Sequence, residues 1–245
     1  DDFSDYAGRR SIMEAQADLV QARWESGLDQ YDRTEMNSQQ PNFTCRVQLP
    51  TYFYIPNELY YSFGPQLVKQ INSEGGMEAI NEALYQLPTA EQIYAPEKYF
   101  SGEQYEDVSI KDLEVTDYNL IKEGTIGALD IPYILQDTIG RVASVKAAIG
   151  LGGGAWKDYV NSSDQLMMSL KMTGDTQTDL DEIYNAYMAW ANAQNRFTGS
   201  QSFEGGILFT GETNVWISSD GTSVRMLLTQ DIEIFNQIST QINNF

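Results

Sequence analysis

The chain contains no histidine and a single cysteine, Cys45. Without histidine, neither a Ser-His-Asp nor a Cys-His nucleophile can be assembled, and the HExxH helix of many zinc peptidases is missing. One cysteine excludes an intrachain disulfide but does not separate a reducing from an oxidising compartment. Cys45 stands beside Arg46 at a polar-to-apolar transition and reads as an idle thiol, not a nucleophile. No apolar run approaches the roughly 20 residues that span a bilayer. Basic residues are also scarce, 15 against 35 acidic ones, for a formal net charge of −20. A surface of that sign excludes nucleic-acid binding through phosphates and disfavours anionic lipid. It repels itself in low salt and is relieved as salt screens it, which reads either as an ordinary acidic protein or as one from a salt-loving source. Carboxylates alone could hold calcium or magnesium. No motif singles out a carboxylate pair for glycoside chemistry.

What is present suits a folded protein. Of 245 residues, 42% are hydrophobic and 12% aromatic, enough to bury a sizeable core. The chain begins at Asp1, which reads as the processed product of a longer precursor. Two sequons, at Asn42 and Asn161, permit glycosylation in an exported protein.

Apolar spacing predicts a helix over Arg9–Leu28, with Ile12, Ala15, Leu19, Ala22 and Leu28 facing inward. The polar run Asp29–Asn42 breaks that pattern. Tyr52, Phe53, Tyr54, Tyr60 and Tyr61 form an aromatic patch, read either as a binding surface or as core. Helices are expected over 58–71 and 77–87, separated at Gly75-Gly76 and ended by Pro88. A short helix over 90–93 and a turn at Pro96 follow. A short strand is expected at 108–110, then helices over 118–135 and 137–149. Gly150, Gly152, Gly153 and Gly154 read as a helix-to-strand turn, because they lack the Lys and Ser/Thr of a phosphate loop. Strands are expected at 155–160, 165–172, 206–209, 214–218 and 223–229, the last two joined by a Ser219-Asp220-Gly221 hairpin turn. Helices are expected at 175–195 and 231–242. The fold class is therefore α+β: a helical part over 1–150 and an α+β part over 151–245, packed as one unit.

The stretch Leu84–Glu103, LYQLPTAEQIYAPEKYFSGE, resembles a segment written PPxSTEQILHPEKYLAGE in a family of secreted zinc metallopeptidase-like proteins and surface lipoproteins of bacteria and archaea. The segment order agrees with it: ExxxD at Glu14 and Asp18, an aromatic stretch, GGxxAINxAL from Gly75, the PEKY segment, AAIGLGGG, and a helix after DTxxD. The similarity runs from about Ser11 to Asn195.

The resemblance implies a gluzincin-like scaffold, corresponding to the C-terminal part of a zincin-like metallopeptidase. In it Glu14 would stand at the third zinc-ligand position, vestigial here, and Asp18 behind it. Ala95, Glu97, Lys98 and Tyr99 would border a cleft. Ala95 replaces the family's histidine, and HExxH is absent. No cofactor is expected, and zinc only if an upstream segment supplies histidines. The expectation is a non-catalytic pseudoenzyme: an acidic surface protein at the cell exterior, haloarchaeal in character and glycosylated, acting in binding or assembly. Its partner would be a protein, a glycan or copies of itself. The alternatives are the C-terminal portion of an active secreted zinc metallopeptidase and a structural coat or filament subunit.

Overall fold

The computed structural model describes residues 3–39 and 49–245, with side chains from Tyr6 onward. Asn42 and Cys45 lie outside the described residues. The fold is α+β, and the chain divides into two compact units, Asp1–Gly102 and Glu103–Phe245. The division at 102 leaves residue 150 inside the second unit, between a helix and the strand that follows it.

The first unit is helical. Helix α1 spans Phe3–Ser26 and α2 spans Gln30–Ser38. The run after Asp29 is thus helical and not the break expected there. Asp29 caps α2 by accepting from Asp32 N at 2.9 Å, satisfying one of the free N–H groups of its first turn. A 3-10 turn (Thr51–Phe53), α3 (Ile55–Glu58) and a π-helical turn (Leu59–Phe63) lead into α4 (Gly64–Ala83). The helix is kinked where Gly76 adopts φ 65°, ψ −156°, close to the interruption expected at Gly75-Gly76. Thr89 and Gln92 form a reciprocal capping box on α5 (Ala90–Tyr94). Pro96 opens α6 (Pro96–Ser101), so the segment expected as a turn continues as helix. Ile12, Leu59, Leu67, Ile80 and Ile93 are fully buried at the centre of this unit.

The second unit is built on a seven-stranded antiparallel sheet in the order β1-β2-β3-β7-β6-β5-β4. Strand β1 (Tyr118–Thr125) occupies part of the region expected as helix, and only α7 (Asp130–Ile139) and α8 (Arg141–Ile149) are helical there. Residues 108–110 form no strand. The glycine run is not a turn: Gly152, Gly153 and Gly154 lie within β2 (Leu151–Asn161). A Cβ on Gly153 would lie 2.3 Å from the Glu106 carbonyl oxygen, so the residue is small because backbone crosses it. Strand β3 (Leu166–Gly174) and helix α9 (Gln177–Ala193), capped by Thr176, follow as expected. Strand β4 (Phe197–Phe203) was not expected; β5 (Gly206–Gly211), β6 (Asn214–Ser219), β7 (Val224–Thr229) and α10 (Glu233–Ile238) were.

Helix α9 packs on β2, β3, β6 and β7, with α7 and α8 beside it. A second apolar cluster joins sheet residues Met167, Trp216 and Leu227 to Leu113, Phe235 and Phe245. Trp216 is fully buried, and its indole N–H donates to the Phe203 carbonyl at 2.8 Å. The sheet is thereby covered on both faces, while its two edge strands, β1 and β4, are mostly exposed and each carries a bulge.

Candidate functional site

Helix α1 is the place to begin, because the resemblance puts a ligand there. The ExxxD spacing sets Glu14 and Asp18 one turn apart on one face. Glu14 is half-buried and already held by a cation: Arg10 Nε lies 3.3 Å from its Oε1. The Tyr61 hydroxyl also donates to Glu14. That bond, followed by the burial of the ring and the carboxylate charge, raises the Tyr61 pKa. Arg10 is further occupied by the Tyr6 hydroxyl at 2.7 Å and stands 5.4 Å from the Tyr60 ring centroid. Asp18 is exposed. Glu14 and Asp18 make no hydrogen bond or ion pair with each other or with residues 95–99.

The PEKY segment forms the α5–α6 corner. Ala95 is buried, with φ −130° and ψ 86°, at the junction of the two helices. Lys98 Nζ lies 2.9 Å from Glu91 Oε1, with 14% and 10% of the two side chains exposed. This ion pair is mostly desolvated, and it ties the start of α5 to α6. Glu97 points into solvent. Tyr99 stacks edge-to-face on Phe100 at 5.3 Å; burial and then the Glu82 charge raise its pKa. The corner is a packed joint, in which Lys98 and Tyr99 have structural work.

Four of the five aromatic candidates are exposed: Tyr52, Phe53, Tyr54 and Tyr61 are each 44–50% accessible. Tyr60 is buried at 4% and belongs to the core. Sequence reasoning missed a neighbouring feature. Beyond Ala15, no residue of α1 is buried, and α2 buries none. Met13, Val20 and Trp24 are 55%, 55% and 60% exposed, and with Ala17 they line a shallow trough on the outer side of α1. The 4-3-4 spacing of Met13, Ala17, Val20 and Trp24 was the available signal. Of the expected inward set, Leu19 and Leu28 are half-buried and Ala22 is exposed.

In the second unit, two mostly covered cations are paired with more exposed carboxylates. Lys157 bridges Asp112 and Glu123, the latter at 3.1 Å. Arg225, 7% exposed, reaches Asp220 Oδ2 at 2.7 Å. Asn161 is half-buried in the β2–β3 turn; its amide donates to Gln165 Oε1 at 2.8 Å, and its Oδ1 accepts from Ser163 N and Gln165 N. Modification of Asn161 would have to displace the Gln165 bond. No helix of the described residues is long and apolar enough to cross a membrane.

Comparison with known proteins gives no match: no family model, no curated protein and no solved structure resembles this chain closely enough to register.

Proposed function

We propose that this chain is a non-catalytic, exported surface protein on a metallopeptidase-like scaffold, and that it works by binding or assembly at the cell exterior. The observation that carries this reading is the state of Glu14. The carboxylate that the resemblance puts at the third-ligand position is engaged by the Arg10 guanidinium and the Tyr61 hydroxyl. Arg10 brings positive charge to the place where a cation would have to enter, which disfavours a metal there. The absence of histidine across the chain and the buried Ala95 support the same reading. The exposed aromatic side chains Tyr52, Phe53, Tyr54 and Tyr61 of the first unit, two of them in ring contact, support a binding role. The net charge of −20 supports a saline setting.

The test is a peptidase assay on the purified chain with added zinc, against unfolded protein and mixed peptides. The expected result is no hydrolysis above background. Hydrolysis that a chelator abolishes would overturn the proposal.

A further inference from the structure

We infer that the outer face of α1 is a self-association surface whose occupant is the α1 of a second copy of this chain. The inference rests on the assembly arm of the function proposed above. Helix α1 has two apolar stripes. The inner one, with Ile12 and Ala15, is buried in the first unit. The outer one, Met13, Ala17, Val20 and Trp24, follows the alternating four- and three-residue steps of a coiled-coil seam, and all four residues are exposed. At 24 residues α1 is about 36 Å long, and roughly its C-terminal half buries no side chain in its own unit.

Charge selects the occupant. Two chains of net charge −20 repel each other over most of their surfaces. Over residues 6–26 the charges cancel: Arg9, Arg10 and Arg23 offset Glu14, Asp18 and Glu25. A strongly basic partner would be met by an acidic face, and this face is neutral. It is also self-complementary. In an antiparallel pair that sets Ala17 opposite Val20 of the second copy, Met13 meets the second copy's Trp24 at both ends, so the smaller side chains meet in the middle and the larger ones close the two ends. On the flanks Glu14 adjoins Gln21 and Arg23 adjoins Gln16, so no like charges face each other. Tyr61, bonded to Glu14, lies at the border of the stripe and widens it.

Sedimentation equilibrium of the full chain in molar salt tests this for the wild type and for Val20→Glu, Trp24→Glu and Tyr85→Glu. Tyr85 is 89% exposed, lies in the same unit off the stripe and serves as the control. The wild type and Tyr85→Glu should sediment at twice the chain mass. Each stripe variant should associate about 100-fold more weakly with an unchanged circular-dichroism spectrum. A wild type that stays monomeric, or stripe variants that dimerise as tightly as the wild type, would overturn the inference. Should a stripe variant lose its helical signal, Ala17→Cys in a Cys45→Ser background decides the matter: a short bismaleimide should join two copies, and failure to do so counts against the interface. The zinc content of the same samples separates this inference from its premise. Stoichiometric zinc in an intact dimer removes the non-catalytic reading and leaves the interface, whereas a zinc-free monomer does the reverse.

Discussion

Replacing Asp220 with Ala should destabilise the second unit by about 2–3 kcal/mol. Asp220 sits in the β6–β7 turn, where its Oδ1 accepts from Thr222 N, Thr222 Oγ1 and Ser223 N, each at 2.8 Å. Its Oδ2 accepts from Arg225 at 2.7 Å. Without the carboxylate, a guanidinium only 7% exposed keeps the Phe245 carbonyl at 3.3 Å as its remaining acceptor. Lys171 adds to the cost: burial, and then the Arg225 charge, lower its pKa, while Asp220 acts to raise it. Removing one partner of a fully buried pair costs about 3–5 kcal/mol. The lower figure of about 2–3 kcal/mol applies because the Asp220 side chain is 39% exposed and the freed turn N–H groups can reach water. Urea unfolding followed by circular dichroism measures the loss. If the cost is mainly the orphaned cation, Asp220→Ala/Arg225→Met should recover at least about 1 kcal/mol over Asp220→Ala. A single variant within about 0.5 kcal/mol of wild type, or a double variant no better than the single, would refute the reasoning.

Acid should expose the same carboxylate. Burial alone would raise the Asp220 pKa, but the Thr222, Ser223 and Arg225 hydrogen bonds outweigh it and bring the value well below the usual range. Its contribution is therefore complete above the unfolded value of about 4 and declines as pH falls below it, so Asp220→Asn should flatten the acid limb of the stability curve. Glu14→Gln should cost only about 0.3–0.5 kcal/mol, the worth of a helical i,i+4 ion pair at the surface, because Gln keeps an acceptor for Tyr61; the midpoint should be the same in chelator and in zinc, and a chelator-sensitive loss would mean a metal ligand. Gly153→Ala should cost about 2 kcal/mol in denaturant unfolding, because backbone and not a movable side chain blocks the new Cβ, and a neutral variant would contradict the close packing of β2. The melting temperature should rise as salt goes from low to molar concentration, and a salt-independent melt would contradict the self-repulsion assigned to the −20 charge.

The parts of the fold legible in the sequence are those whose burial imposes a pattern. Helix α9 carries a Thr176 cap and an apolar stripe of Leu180, Ile183, Tyr187 and Trp190, all buried. Strands β6 and β7 lie inside the sheet and flank a turn of recognisable chemistry. Strands β1 and β4 border the sheet and are mostly exposed, so no alternation marks them. Helix α2 is polar all round, and a periodicity argument cannot see it. In β2 the three glycines carried the wrong signal, since their smallness answers close packing, above all the backbone that crosses Gly153, and not a turn.

The candidate site was legible in part. ExxxD placed Glu14 and Asp18 on α1, and Arg10 is one turn before Glu14. Tyr61 reaches Glu14 only because the π-helical turn packs against α1, a tertiary fact without a local trace. The outer stripe of α1 went unread because an amphipathic reading assigns one apolar face to a helix, and this helix has two.

The central proposal is that Glu14 serves Arg10 and Tyr61 and not a metal. Zinc bound per chain, measured on the purified protein after equilibration with equimolar zinc and desalting, tests it most directly. The account predicts far less than one zinc per chain, with no difference between wild type and Glu14→Gln. One zinc per chain in the wild type, lost in Glu14→Gln, would contradict it.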